Sequence, residues 1–330
     1  TVTNWSQSHP ISHPTTLDAG GQGRGLYIAA GVTPTVEGLR ITGGRASQGG
    51  GAPNGGGVYI ADAAPVLRDC EIVGNRAQYG AGLFLRASAA DERTNTVISN
   101  AAEHESGSSG GGGVYVDGGT PSLTRNIVMG NGAGWGAGLY MMRSTAALSE
   151  NTIVDNQATS GGGGLCLVDS ATEVSSNTIA SNWAVQGGGV YLYDGHDVLM
   201  GNELRANTAH RYGGGVYAYE SGAILDANRV VANSAERGGG LFSLNGATRL
   251  SQNVVQDNVA AYGGGLYLHQ TSSSLDANTV SGNAADFGGG LYLYYCDAEL
   301  TNMVVTGNQA DIGGDALRVW GGSPRLRHAT

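Results

Sequence analysis

Three carboxylates recur at one position of a repeated sequence. Of all the polar residues in the chain, they have the type and spacing best suited to bind a metal ion or to catalyse a reaction. Asp169, Asp194 and Glu220 are separated by 25 and 26 residues, and Arg143 occupies the same position one repeat earlier. If successive repeats stack about 4.8 Å apart, as neighbouring strands do, the carboxylates form a column of like charges that a cation or a proton would stabilise. Oxygen-rich sites of this kind suit Ca²⁺. Calcium is therefore the only cofactor that the sequence suggests, and the alternative is a solvated acidic corner that binds no metal.

A second column is aromatic, and it predicts a contact surface. The residue after each Gly-Gly-Gly-Leu/Val step is Tyr or Phe in ten of eleven copies, and the position two residues later adds further rings. An exposed apolar band of this length is more than a monomer normally shows. The predicted partner-binding residues are Tyr191, Tyr193, Tyr217, Tyr219, Tyr267, His269, Tyr292 and Tyr294. The alternative is a ladder of rings that only stabilises the pairing of neighbouring strands.

The element that positions both columns is a repeat of about 25 residues. Each copy reads as three short segments with alternating apolar residues, separated by glycines and by two asparagines. A fixed period of this length indicates a solenoid, in which each unit buries its apolar surface only against its neighbours. The predicted fold class is all-β: a single-stranded right-handed parallel β-helix of about 12 coils, with three short strands in each coil.

Two columns of asparagine predict the corners of the coil. One runs through Asn177, Asn202 and Asn228, and the other through Asn182, Asn207 and Asn233. Asparagine tolerates left-handed backbone angles, so we expect these residues to form the bends themselves. Stacked amides can also bond to each other from coil to coil, as in fibrillar ladders.

Composition excludes several classes of function. The chain has a net charge of −10 and contains no lysine, so a basic stripe for nucleic acid is missing and nucleic acid is not an expected partner. No run of about 18 apolar residues is present, so we expect no membrane insertion of this segment. The three cysteines, Cys70, Cys166 and Cys296, fall in distant copies of the repeat, too far apart to pair, and are predicted to be free thiols.

The repeat runs almost from end to end, which predicts one domain over residues 1–330. Residues 1–22 form an N-terminal cap segment, residues 23–322 the repeats, and residues 323–330 an incomplete coil that we expect to continue in a longer chain. An uncovered end of a solenoid presents unpaired backbone groups, so end-to-end assembly is the alternative.

The repeated phrases resemble those of a known group of proteins. Gly-Gly-Gly-Leu/Val-Tyr and Val/Ile-x-x-Asn, as in Val280-Ser281-Gly282-Asn283, are similar to the motifs of bacterial right-handed parallel β-helix surface proteins, especially the passenger domains of polymorphic outer-membrane proteins. In that family the motifs read Gly-Gly-Ala-Ile/Leu/Val and Phe-x-x-Asn. The resemblance implies extracellular or cell-surface display and adhesion, with no catalytic residues to carry over.

These observations favour a non-catalytic extracellular structural or adhesive β-helix, a segment of a bacterial cell-surface protein or filament. Its expected partners are another protein or further copies of itself, end to end or side by side, and a carbohydrate is a further candidate. One alternative is a polysaccharide lyase or glycoside hydrolase acting through the stacked acidic cluster, since two carboxyl groups about 5 Å apart fit a retaining glycosidase. The other is a calcium-dependent binding module for carbohydrate or protein.

Overall fold

The computed structural model describes residues 15–46, 53–103, 109–328 and 330 as a parallel β-helix of about 12 coils. Three parallel sheets of 12 strands run its length, which confirms the predicted fold class. Coils are numbered below by their strand in sheet I. Within the described residues there is no helix with the length and apolarity needed to cross a membrane. The predicted cap segment, residues 1–22, lies partly outside the described residues, and within it Thr15–Asp18 forms a strand that joins a sheet.

Sheet I follows the glycine runs, and its strands are the first in each coil. In coil order they are Leu26–Ile28, Val58–Ala61, Leu83–Ser88, Val114–Gly119, Leu139–Met142, Leu165–Val168, Val190–Tyr193, Val216–Tyr219, Leu241–Leu244, Leu266–His269, Leu291–Tyr294 and Leu317–Trp320. Alternate residues point into the coil, as period-two alternation requires. In coil seven, Val190 and Leu192 are therefore fully buried in the core.

Sheet II holds the second strand of each coil and contributes one inward residue per strand. Its strands are Thr35–Glu37, Val66–Arg68, Asp91–Arg93, Ser122–Thr124, Ala147–Ser149, Glu173–Ser175, Val198–Met200, Ile224–Asp226, Arg249–Ser251, Ser274–Asp276, Glu299–Thr301 and Arg325–Arg327. The inward column is leucine or valine except in coil three, where Glu92 lies between Leu67 and Leu123.

Sheet III completes the core between the two asparagine columns. Its strands are Thr15–Asp18, Leu39–Thr42, Glu71–Val73, Thr96–Ile98, Ile127–Met129, Thr152–Val154, Thr178–Ala180, Glu203–Arg205, Arg229–Val231, Val254–Gln256, Thr279–Ser281 and Val304–Thr306. Inward residues such as Ile153, Ile179 and Leu204 are fully buried. The three sheets thus enclose one continuous apolar core along the axis.

A fourth, shorter sheet was not predicted, and it follows the second asparagine column. Its strands are Arg76–Ala77, Ala101–Ala102, Gly132–Trp135, Gln157–Gly161, Trp183–Gln186 and Thr208–Tyr212, then Val259–Tyr262, Ala284–Phe287 and Gln309–Gly313. Single bridges through Ser234 and Arg237 join the two groups. We call this column sheet IV, and it determines how much of the aromatic column is exposed.

The asparagine ladders form as predicted. Asn207 donates from its backbone N to Asn233 Oδ1 at 2.9 Å and from Nδ2 to the same oxygen at 3.0 Å. Its Nδ2 also donates to Ile179 O at 2.9 Å. The same three bonds recur from coil to coil, so each buried amide is satisfied and the cost of burying it is offset.

The prediction that these asparagines adopt left-handed angles was wrong. The residue before each asparagine carries the positive φ, as in Ala206 at 53° and Ala232 at 54°. The asparagine itself must keep its side chain pointing inward to reach the next amide, so the turn falls one residue earlier. Since this costs roughly 1 kcal/mol or more for a non-glycine residue, the ladder and the packing stabilise a strained corner.

The glycines of each run serve two different purposes. Gly213 has φ of 61°, which glycine adopts without strain. A Cβ on Gly214 would lie 2.4 Å from the carbonyl oxygen of Gly239, and one on Gly215 would lie 2.6 Å from that of Gly240. The stacked backbones therefore pass too close here for most side chains, which explains the sequence of glycines.

Candidate functional site

The inner aromatic column lies on the outer side of sheet I, and the structure buries it. Register places Tyr191 beside Tyr217, then Phe242, Tyr267 and Tyr292 in consecutive coils. Tyr191, Tyr217, Tyr267 and Tyr292 are only 4–7% exposed. The expectation that these four residues form an exposed band was wrong. Neighbouring rings instead pack on each other, with centroids 4.9 Å apart between Tyr267 and Tyr292, so this column is a ladder.

The cover over this ladder comes from aromatic residues that end some of the sheet IV strands. Trp135, Tyr212 and Tyr262 pack against the inner column, and Phe287 stacks on Tyr262 with ring centroids 5.3 Å apart. Tyr212, for example, lies 5.2 Å from the ring of Phe242. The sequence signal was available, because these residues immediately precede the glycine runs. It was missed because the segment before the glycines was not recognised as a strand.

On the other side of the ladder lies a half-buried row, which we call the outer row. It contains Tyr193, Tyr219, Leu244, His269 and Tyr294. Tyr193 and Tyr219 stack with centroids 5.4 Å apart, and His269 meets Tyr294 edge to face at 4.8 Å. Burial, and then the charge of Arg237, lower the pKa of His269 and favour its neutral form. Of the eight predicted contact residues, four therefore keep accessible surface: Tyr193, Tyr219, His269 and Tyr294.

One arginine is held within the cover of the ladder. Arg237 lies between Tyr212 and Tyr262, with its guanidinium carbon 5.7 Å from each ring centroid. It also pairs with Glu236 at 3.5 Å. Cation–π contacts of this kind contribute on the order of 0.5–1 kcal/mol each at partly exposed sites. The row from Tyr212 to Phe287 is thus a stack of rings interrupted by one cation.

The row from Tyr212 to Phe287, the outer row and the ladder meet at a cleft near coils ten to twelve, which we call the aromatic cleft. It has a volume of about 260 Å³ and is lined by Tyr262, Phe287, Tyr292, Tyr294, Arg318 and Trp320. The guanidinium carbon of Arg318 lies 4.5 Å from the ring of Phe287 and 5.8 Å from that of Trp320. No carboxylate in the described part of the chain forms an ion pair with Arg318. Sequence reasoning found only Tyr292 and Tyr294 of this group.

The sequence profile of one family, described as "Right handed beta helix region", matches residues 15–182 and again residues 163–328. The chain belongs to this family. Its coils are therefore right-handed, as predicted. No curated protein and no solved structure matches the chain. Since this fold occurs in adhesins and in polysaccharide-cleaving enzymes alike, membership establishes the fold of this β-helix and leaves its activity open.

The predicted calcium residues occupy one exposed corner of the β-helix. Asp169, Asp194 and Glu220 all adopt left-handed angles, with φ of 50°, 49° and 51°, between sheets I and II. Arg143, in the same column, pairs with Asp117 at 2.6 Å. Among the described residues no three acidic, histidine or cysteine side chains converge as metal ligands. Calcium binding by this column stays a prediction.

Two other acidic side chains lie inside the β-helix. Glu92 is 2% exposed, and burial raises its pKa to about 8. Asp197 is fully buried, and burial raises its pKa to about 7, although a hydrogen bond from the backbone N of Thr172 opposes this. Glu92 is thus held largely protonated near neutral pH, whereas Asp197 is close to its midpoint there. Neither faces a surface where a polymer could reach it.

The three thiols are free, as predicted, and all three are buried. Cys70 takes the place of an asparagine in the first ladder, and its backbone N donates to Asn95 Oδ1 at 3.0 Å. Cys166 takes the place of an aromatic residue between Tyr140 and Tyr191. Burial raises the pKa of both thiols, which makes them poor nucleophiles.

Proposed function

We propose that this chain is a non-catalytic adhesive β-helix, displayed outside a bacterial cell, that holds a carbohydrate chain in the aromatic cleft. It resembles the passenger domains of bacterial outer-membrane surface proteins in its repeated motifs. Binding without catalysis needs only a rigid surface with suitable contacts, and a stack of 12 coils supplies one.

The observation that carries the proposal is that the fold does not require the outer row to be aromatic. At the same position in coils two to four the chain has Ala61, Arg86 and Asp117, and these coils form the same sheets. The aromatic residues of coils seven, eight and eleven are therefore additional to what the coil needs. Residues that exceed structural needs and remain accessible are candidates for recognition.

The chemistry of the aromatic cleft suits a sugar. Tyr262, Tyr292 and Tyr294 combine a large apolar body with a hydroxyl that can donate or accept a hydrogen bond. Arg318 adds a fork of donors that is not neutralised by a carboxylate of the described chain. A ligand with both apolar C–H faces and many hydroxyl or carboxylate oxygens fits this mixture better than a purely apolar one.

The main rival is an enzyme that cleaves polysaccharides with Asp169, Asp194 and Glu220. A glycosidase needs one carboxylic acid that stays protonated beside a second, ionised carboxylate at the substrate. In this β-helix the carboxyl groups with raised pKa, Glu92 and Asp197, are enclosed in the core. This arrangement favours binding over catalysis.

The test is a binding survey on immobilised polysaccharides, followed by titration calorimetry with each ligand found. We expect the variant Arg318→Ala/Trp320→Ala to weaken binding by at least about tenfold, as loss of central aromatic and arginine contacts usually does. The matched control, Arg86→Ala/Asp117→Ala, changes the outer row in coils three and four and should bind like the wild type.

Other outcomes would contradict the proposal. Equal loss in both variants would mean that the aromatic cleft is not the binding site, and release of sugar fragments that stops in Asp169→Asn/Asp194→Asn/Glu220→Gln would establish the enzyme. A fall in melting temperature on adding a chelator, absent from that triple variant, would establish the calcium-dependent module instead.

A further inference from the structure

Two arginines lie over the rings of sheets I and IV, and they differ in their counter-ions. Arg237 pairs with Glu236 at 3.5 Å. The guanidinium carbon of Arg318 lies 4.5 Å from the ring of Phe287 and 5.9 Å from that of Tyr292. No acidic side chain among the described residues lies within ion-pair distance of Arg318. This arginine therefore brings an uncompensated positive charge to the aromatic cleft.

The surroundings of Arg318 favour an anionic partner. The residue is half-buried, and a charge that is partly removed from water is costly without a counter-ion. Burial raises the pKa of Tyr292 and the charge of Arg318 opposes that rise, which places the guanidinium beside the Tyr292 hydroxyl. A guanidinium offers two parallel N–H donors that match a carboxylate. The cleft, at about 260 Å³, lies just below the range of roughly 300–1,000 Å³ for drug-sized ligands, so it suits one sugar unit with one carboxylate.

From this cleft the outer row leads along the axis without a further positive charge. Register places Tyr294 beside His269, then Leu244, Tyr219 and Tyr193 in consecutive coils. The lowered pKa of His269 favours its neutral form. These five side chains can contact a polymer that runs along the axis, but they cannot neutralise a second anionic group.

The position that follows the outer row lies at the exposed corner between sheets I and II, and its charge changes along the axis. In coils nine to eleven, beside the cleft, it holds the uncharged residues Asn245, Gln270 and Tyr295. In coils six to eight it holds the acidic residues Asp169, Asp194 and Glu220. A run of anionic groups along the outer row would meet carboxylates at coil spacings of about 4.8 Å, and like charges so close repel each other.

We propose that the aromatic cleft binds the acidic unit of a sparsely charged polysaccharide, with a carboxylate of that unit on Arg318 and neutral sugars of the same chain along the outer row. This inference rests on the proposed carbohydrate-binding function and names the class of ligand. One anionic group offsets the charge of Arg318, and the apolar bodies and hydroxyls of the outer row suit uncharged units. A polymer with a carboxylate on every unit is disfavoured, because its further charges approach Asp194 and Glu220 on a chain whose net charge is already −10.

The test uses one polysaccharide backbone at three charge densities. A soluble β-glucan is oxidised at its primary alcohols so that none, a minority or nearly all of its units carry a carboxylate. Each form is titrated into the wild-type chain by calorimetry at constant ionic strength. We expect the sparsely oxidised form to bind at least about tenfold more tightly than the unoxidised form, because a close charge pair is gained. The fully oxidised form should bind more weakly than the sparsely oxidised one.

Each other outcome has a distinct meaning. Equal binding of the unoxidised and sparsely oxidised forms would overturn the inference and leave carbohydrate binding intact. Tightest binding of the fully oxidised form would also overturn it, since the corner carboxylates would then not repel the ligand. If no form binds, the inference is wrong, and the proposed function fails with it only if the survey of immobilised polysaccharides finds no ligand either.

Matched variants assign the preference to one residue. Arg318→Gln should reduce the preference for the sparsely oxidised form to less than about twofold, whereas Arg318→Lys keeps the charge and should retain part of the preference. Arg86→Gln removes an exposed arginine of coil three and should keep the full preference. An unchanged preference in Arg318→Gln, or an equal loss in Arg86→Gln, would refute the assignment to Arg318.

The acidic corner has a test of its own. Asp169→Asn/Asp194→Asn/Glu220→Gln should bind the fully oxidised form several-fold more tightly than the wild type does, because three like charges are removed. Unchanged affinity for that form would contradict the selection against densely charged polymers.

Discussion

Coils two to five and coils seven to eleven have the same backbone and differ on one surface. Both carry a buried inner column of rings, since Phe84 is 4% and Phe242 1% exposed. In the first region the position two residues later is not aromatic in any coil, and Arg86 pairs there with Asp62 at 2.9 Å. In the second region it is mostly aromatic. The comparison teaches that the inner column is structural in both regions, while the outer row is free to vary.

Coil six separates the two regions. Cys166 there interrupts the rings, so the described aromatic residues form one cluster around Tyr59, Phe84 and Tyr115 and another from Tyr191 onward. Trp135 bridges the interruption: a Cβ on Gly161 would lie 2.5 Å from its ring, and the ring meets the edge of Tyr191 at 5.3 Å. One large ring thus compensates for the small residues at 161 and 166.

The largest expected effect tests whether the inner column is equally structural in both regions. Phe84→Ala and Phe242→Ala should each lower the free energy of unfolding by about 3–5 kcal/mol, because each removes a fully buried ring from a stack. Chemical denaturation followed by circular dichroism measures both. A cost below about 1 kcal/mol in one region only would break the comparison.

The next effect is a dependence of stability on pH, from one buried carboxyl in each region. Burial raises the pKa of Glu92 to about 8 and of Asp197 to about 7, whereas in the unfolded chain both lie near 4. The folded state therefore binds more protons, so this contribution is fully present below about pH 4 and is lost as pH rises to 8. For Glu92 the loss is on the order of 3 kcal/mol by pH 7.

Melting temperature measured from pH 5 to pH 8 should fall, and Glu92→Gln should remove the larger part of that fall while keeping the shape of the side chain. Glu173→Gln, which changes an exposed carboxylate on the same sheet, is the control and should leave the slope unchanged. A stability that rises over this range would contradict the assignment of Glu92 as a protonated core residue.

The core and the ladders could be predicted because stacking turns a sequence period into a spatial column. An inward Leu or Val recurs in each strand, and an asparagine such as Asn207 recurs at each corner, so the pattern alone places both. The same logic correctly found that the Tyr column points away from the core. It could not show that this column is buried, because burial depends on sheet IV, whose strands of mixed composition carry no clear alternation.

The aromatic cleft was only half predictable for a related reason. Tyr292 and Tyr294 belong to repeating columns, whereas Arg318 occupies a tyrosine position and departs from the repeat. Trp320 follows it in the outer row, and Phe287 comes from sheet IV. A method that depends on recurrence finds what every coil shares and misses the residues in which one coil differs.

A smaller effect concerns the bridge at coil six. Trp135→Ala should lower the free energy of unfolding by on the order of 2 kcal/mol. It should also make the Cys166 thiol accessible to a maleimide reagent, because the Trp135 ring lies over the coil in which Cys166 replaces an aromatic residue. Mass spectrometry of labelled peptides separates Cys166 from Cys70 and Cys296. Trp320→Ala is the control, and it should leave Cys166 protected. Equal labelling of both variants would mean that Trp135 does not cover the thiol.

The smallest effect decides what the outer row is for. Tyr219→Ala should lower the free energy of unfolding by about 1 kcal/mol or less, since the ring is half-buried and its two stacked neighbours, Tyr193 and Tyr217, lie 5.4 and 6.3 Å away. Arg86→Ala, at the same position in coil three, removes an exposed ion pair and should cost less still, because solvent screens that pair. If both costs are this small, stability does not explain why the second region is aromatic, and ligand binding is left as the reason. A loss of 3 kcal/mol in Tyr219→Ala would show instead that the outer row is part of the structural ladder.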